Sequence, residues 1–130
     1  MALDPQYAAS PKTGIVNIST ANTNRDGTGT IGDVMTGGAS GSRVDTVRVV
    51  ARGTTTAGMI RLYRYNGTTS FLLKEIPVAA VTPSATVPAF NALVRFLDDD
   101  PCYLPSSSWK LQASTEKGES FNVFADGADL

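Results

Sequence analysis

The sequence predicts an all-β protein: an antiparallel β-sandwich or jelly roll of about seven to eight short strands. Three observations predict it. Apolar and polar residues alternate with a period of two in several stretches, most cleanly at Trp109, Leu111 and Ala113 against Lys110, Gln112 and Ser114. The dipeptide Asn66-Gly67 sits between two such stretches, the strongest short hairpin signal, because a type I′ turn needs positive φ at both central residues. Turn residues recur about every 8 to 12 positions, and no segment carries a convincing helical stripe longer than two turns.

Residues 1–13 hold Pro5, Tyr7 and Pro11 among small residues without periodicity and read as an extended arm; residues 14–130 read as the single folded domain. Residues 14–20 are β-branched and form a first strand. Residues 21–30, rich in Asn, Asp and Gly, make a loop, and residues 31–35 the next strand. The centre of the chain is three successive strands, 43–52, 58–65 and 69–77. In the first, Val47, Val49 and Ala51 share a face with Asp45 and are the candidate core. In the second, Ile60 and Leu62 point inward, while Met59, Arg61, Tyr63 and Tyr65 occupy a face that is wet or reserved for a partner.

Pro77, Pro83 and Pro88 make residues 78–87 an edge strand or an irregular connection. Residues 89–97 fit either a strand face or a helical stripe, and the β-rich surroundings favour the strand. Asp98-Asp99-Asp100-Pro101 is a turn, residues 109–114 a half-buried strand, and Glu116-Lys117-Gly118-Glu119 a compact hairpin loop. A strand from Phe121 closes the domain, leaving residues 127–130 as a tail.

The 130 residues carry 11 Lys and Arg against 12 Asp and Glu, a net charge of −1, without a basic tract; nucleic acid is not an expected partner. No run of about 18 apolar residues spans a membrane, and residues 1–5 lack the features of a signal peptide, so synthesis in a cytoplasm without export is expected. The single Cys102 excludes an internal disulfide, and the absence of histidine removes Ser-His and Cys-His nucleophile pairs and the usual transition-metal sites. No cofactor, metal or catalytic residue is expected.

Each remaining constellation has a structural explanation. Asp98 to Asp100 offer oxygen ligands for a hard cation, yet no known calcium-loop pattern surrounds them and a solvated turn suffices. Residues 24–29 resemble a phosphate cradle but lack the following Lys and open no helix. Asn66-Gly67-Thr68 fits a glycosylation triplet and is explained by the hairpin. Glu75, Glu116 and Glu119 could supply a glycosidase pair only in principle. Tyr63 and Tyr65, with rings about 7 Å apart beside Arg61, could form a sugar platform or a subunit contact. Trp109 has core parity, and Cys102 reads as a structural thiol.

Taken in order, Ala21-Asn22-Thr23 with Asp26-Gly27-Thr28-Gly29-Thr30, Gly41-Ser42-Arg43-Val44-Asp45, Gly53-Thr54-Thr55 to Met59-Ile60-Arg61-Leu62-Tyr63, Asn66-Gly67, Thr82-Pro83-Ser84-Ala85, Leu104-Pro105 before Trp109-Lys110-Leu111, and Phe121-Asn122-Val123 with the terminal Gly-Ala-Asp-Leu resemble a family of small virion proteins of tailed bacteriophages. The family is similar to capsid decoration, or cement, proteins. That resemblance implies a jelly-roll module on the capsid exterior, assembled in the host cytoplasm. It implies a homotrimer that bridges neighbouring capsomers of the major capsid protein. It carries no catalytic residues. On it, Tyr7 belongs to an arm over residues 1–12, and Arg25, Arg61, Tyr63 and Tyr65 are the expected subunit or capsid contacts. The competing expectation is a glycan- or receptor-binding module of a head or tail fibre, using Tyr63 and Tyr65.

Overall fold

A computed structural model describes residues 10–96 and 100–130. Among them there is no helix, and nine strands form two antiparallel sheets packed face to face. The strands are β1 (Ser10–Ile18), β2 (Gly32–Thr36), β3 (Ser42–Ala51), β4 (Gly58–Tyr65), β5 (Ser70–Val78), β6 (Asn91–Arg95), β7 (Cys102–Leu104), β8 (Lys110–Thr115) and β9 (Phe121–Asp129). Sheet one runs β1-β9-β3, with β6 and β7 side by side along the far edge of β3; sheet two runs β2-β8-β4-β5.

The core lies between the sheets. Val44, Val47, Val49, Phe121, Val123 and Ala125 from sheet one meet Ile60, Leu62, Leu111 and Ala113 from sheet two, all essentially inaccessible. Burying each of the larger aliphatic side chains stabilises by about 1.5–3 kcal/mol. Val44 and Val47 both point inward although they are three residues apart. A bulge between Val44 and Thr46 inserts Asp45 as an extra residue and resets the alternation. The expected core set of β3 therefore gains Val44, and Asp45 leaves the inward face to pair with Arg43 at 2.8 Å.

Several boundaries move. Strand β1 begins at Ser10, ahead of the expected position 14, because residues 10–13 pair with the end of β9, which itself continues through the supposed tail to Asp129. Residues 91–95 form a strand, the favoured of the two readings, and Cys102–Leu104 adds a short strand that the sequence analysis does not contain. The segment Glu116 to Glu119 is not a hairpin. It carries the chain from β8 in sheet two to β9 in sheet one, as the Gly53 to Gly58 join carries it from β3 to β4.

The β4–β5 hairpin is present, but its turn is not type I′. Tyr65 pairs with Ser70, leaving a four-residue loop in which Gly67 alone has positive φ, 97°. The Asn66 side chain does the rest: its Oδ1 accepts from the backbone N–H groups of Thr68 at 3.0 Å and Thr69 at 2.8 Å. The Asn-Gly signal thus works through an Asx-type cap at Asn66 and left-handed backbone at Gly67.

Candidate functional site

The outward face of sheet two is where the expected contact residues converge. On β4, period-two alternation sends Arg61, Tyr63 and Tyr65 to the side opposite Ile60 and Leu62, as predicted. That face is not free. The loop of residues 21–30 lies across it, leaving Arg61 1% and Tyr63 0% exposed. Both side chains are consumed in holding the loop, so neither is available to a partner in this arrangement.

Arg61 is the hub. Its Nε donates to Glu75 Oε2 at 3.0 Å, one terminal nitrogen to Glu116 Oε1 at 3.1 Å and the other to the Asn22 carbonyl at 3.3 Å. The planar five-donor fork of arginine suits this three-way arrangement in a way a lysine ammonium does not. Glu75 sits opposite Arg61 on the neighbouring strand β5, and Glu116 follows β8, so one guanidinium ties three elements together. Glu75 also accepts from Arg25 Nε at 2.7 Å, and Arg25 rises from the middle of the loop. The Arg25 hydrogen bond first, then that of Arg61, holds the Glu75 carboxyl below the usual carboxylate range.

The loop is shaped by its own residues before it is clamped. The Asn22 amide donates to the carbonyls of Thr28 at 2.9 Å and Thr30 at 3.0 Å, while its Oδ1 accepts from the Asn24 N–H at 3.0 Å. Gly27, at φ 85°, lies so close to β5 that a Cβ would stand 2.3 Å from the Ser70 carbonyl oxygen. Tyr63 OH donates to the Asn24 carbonyl at 2.9 Å, satisfying a buried phenol as burial demands. The outer rim of the loop, from Thr23 to Asp26 and from Thr28 to Thr30, remains exposed.

Of the five expected contact residues, four lie on this face, and they are not contacts of equal standing. Arg61 and Tyr63 are interior clamps. Arg25 is exposed along much of its side chain, 60%, yet is tethered to Glu75. Tyr65 is half-buried on the same face with Lys110 Nζ 6.0 Å from its ring centre. Tyr7 lies outside the described residues, as do Asp98 and Asp99 of the aspartate turn. The sugar platform is corrected on the same ground: it needs two open rings, and Tyr63 has none of its surface in solvent.

Glu75 and Glu116 stand in the sequence reading only as carboxylates of a glycosidase pair in principle, and Asn22 only within a resembling stretch; as the partners of Arg61 that complete the clamp, all three are missed. The available signal is Arg61 itself, an arginine flanked by Ile60 and Leu62 in a strand bounded on both sides, which must find carboxylates or carbonyls if anything covers it. Glu75 and Glu116 straddle that guanidinium, and a carboxyl held ionised by two arginines is unsuited to the proton-donor half of a glycosidase pair. Glu119 instead accepts from the Thr56 N–H and hydroxyl at 2.9 and 2.8 Å.

A second tie closes the opposite corner. Lys12 of β1 reaches Asp129 of β9 at 3.0 Å and the Thr36 carbonyl of β2 at 2.5 Å, while Ser42 of β3 donates to the same Asp129 oxygen at 2.6 Å. Both sheets are thereby pinned at one point. Ser42 first, then Lys12, holds the Asp129 carboxyl below its ordinary range.

No family model and no curated protein sequence matches the chain. Two similar solved structures are the T13 viral particle of IBDV and the Gx strain of infectious bursal disease virus. The first is 13% identical at a TM-score of 0.37, covering 99% of this chain and 35% of that one. The second is 14% identical at a TM-score of 0.37, covering 98% and 37%. The chain thus spans little more than a third of the length of those it matches. Likenesses at this level specify neither family nor function, and the fold class rests on the strand registers described above.

Proposed function

We propose that the chain is a structural virion protein: a decoration, or cement, protein on the exterior of an icosahedral phage head, bridging capsomers of the major capsid protein as a homotrimer. The observation that carries this reading is that the stretches bearing the family resemblance pack on one another. Residues 21–30 are clamped by residues 61 and 63 through the Asn22 and Asn24 carbonyls. Residues 41–45 lie against the terminal Gly-Ala-Asp-Leu, with Leu130 N–H donating to the Gly41 carbonyl at 3.0 Å and Ser42 pairing with both Asp129 and Leu104. The resemblance therefore includes two joints between segments distant in sequence.

Such joints suit a module that bears load. A protein that staples capsomers must transmit force between its contact surfaces without shearing, and two side-chain ties suit that: Arg61 fastens the 21–30 loop over β4, and Lys12 of β1 reaches the Thr36 carbonyl of β2 in the other sheet. Weak contacts repeated around a symmetric shell gain strength through effective concentration, so no covalent chemistry is required. A density map of the parent particle tests the reading: trimeric knobs of this fold between capsomers are expected, and their absence, with a monomer in solution, overturns it. Because Lys12 belongs to β1, the arm is tested by removing residues 1–9; a deletion through residue 12 would also break the Asp129 tie.

A further inference from the structure

Among the described residues, the outward face of sheet one carries no loop comparable to residues 21–30. Register places Ile15 of β1, Phe124 of β9, Arg48 of β3 and Leu93 of β6 in one row across it. With strands about 4.8 Å apart, the row spans about 15 Å. Ile15 is 62% and Leu93 40% exposed, and Phe124 and Val50 are half-buried beside them. The flanking row is Asn17, Asn122, Val50 and Asn91; the one on the other side is Thr13, Asp126, Thr46 and Arg95. Apolar side chains at both ends of a row that holds Arg48 between Phe124 and Leu93, with amides along one side and Arg95 on the other, have the make-up of a protein interface.

Charge selects the occupant. Arg48 and Arg95 are exposed and join no ion pair among the described residues, and these rows set one carboxylate, Asp126, against the two of them, so the face is net cationic. A second copy stacked about a two-fold axis through the patch would bring Arg48 towards Arg48, a like-charge contact that disfavours association. Nucleic acid needs a track of cations, and these rows hold two with an exposed carboxylate beside them. We propose that this face docks on a protein surface that sets carboxylates among apolar side chains. The identity of that surface, the outer shell of the particle, rests on the function proposed above.

The test is co-sedimentation of the full chain with empty parent particles at several salt concentrations. It compares wild type, the double variant Arg48→Glu/Arg95→Glu, the double variant Ile15→Ser/Leu93→Ser, and, as control, Phe71→Ser at an exposed apolar residue of sheet two, with folding checked by circular dichroism. Expected are a loss of affinity of about tenfold or more in both double variants, binding by wild type that weakens with salt, and no change in Phe71→Ser. Folded double variants that bind like wild type overturn the inference and leave the shell reading standing. Wild type that ignores the particles overturns both. Loss of self-association, or of nucleic-acid binding, without loss of particle binding assigns the face to another occupant and also overturns the inference.

Discussion

The Arg61 guanidinium lies beneath the backbone of Asn22 and donates to its carbonyl at 3.3 Å, across 39 positions of sequence. A buried arginine thereby adds to the backbone bond from Asn22 N–H to the Thr115 carbonyl at 2.8 Å, fastening a loop to a sheet face that would otherwise be wet. Replacing it with an apolar residue of similar length leaves Glu75 and Glu116 facing each other and the Asn22 carbonyl without its donor. Arg61→Met is expected to destabilise the fold by about 2–4 kcal/mol in urea unfolding. Hydrogen exchange at residues 23–30 should rise more than in β3 and β9. Arg61→Lys restores the charge without the fork and should recover only part of the loss; full recovery would mean that charge alone holds the loop.

The same loop depends on a close approach at Gly27, where a methyl group would collide with the Ser70 carbonyl at 2.3 Å from a backbone already at φ 85°. Gly27→Ala should therefore lift the loop and lower the unfolding midpoint, by about 1–3 kcal/mol of strain and lost contact. Gly53→Ala is the control, since nothing lies within 4 Å of the added carbon. Equal midpoints for the two variants would show that the loop does not bear on β5.

Strand positions were legible because period-two alternation and turn residues are local signals. β4 spans 58–65 as read, and the β-sandwich class follows from such strands. What was not legible required knowing which sheet each strand joins. The compact Glu116 to Glu119 segment has hairpin composition, yet β8 and β9 belong to different sheets, a choice made by long-range pairing. The bulge at Asp45 shifts parity inside an unbroken run of strand residues, and nothing in Arg43 to Thr46 announces it. The site was half read. Arg61 and Tyr63 were singled out by parity as special, but parity gives a direction and not an occupant, and the occupant is the chain's own loop.

Cys102 is fully buried where β7 meets β3, and burial pushes its thiol up from an ordinary 9.0 to about 11. The folded state then keeps its proton at a pH where the unfolded chain has lost it. This contribution to stability is whole below pH 9 and declines as pH rises from about 9 to 11. In wild type, the drop in unfolding free energy over that window should exceed the drop in Cys102→Ala, which removes the titrating group. Identical alkaline limbs would rule the thiol out. Native protein at pH 8 should also react with a thiol reagent far more slowly than protein in urea.

The acid limb works with the opposite sign. Ser42 and Lys12 hold the Asp129 carboxyl below its ordinary 3.8, and Arg25 with Arg61 holds Glu75 below its ordinary 4.5. At Asp33, burial opposes ionisation, but hydrogen bonds from Gln112 and Lys110 together outweigh it and lower the value. In each case the unfolded chain takes up protons first as pH falls, so the stabilisation is present above the ordinary values and is lost as pH drops through the lower folded ones. Urea midpoints should stay level from neutrality to about pH 5 and then fall. Asp129→Asn should start lower at pH 7, because it loses the ion pair with Lys12 between β1 and β9, and should fall less steeply in acid because one coupled proton is gone. Raised salt should narrow the gap between the two proteins at pH 7, since this pair is partly exposed. A gap that persists unchanged in high salt, with parallel acid limbs, would place the contribution of Asp129 in its neutral hydrogen bonding with Ser42 instead of its charge.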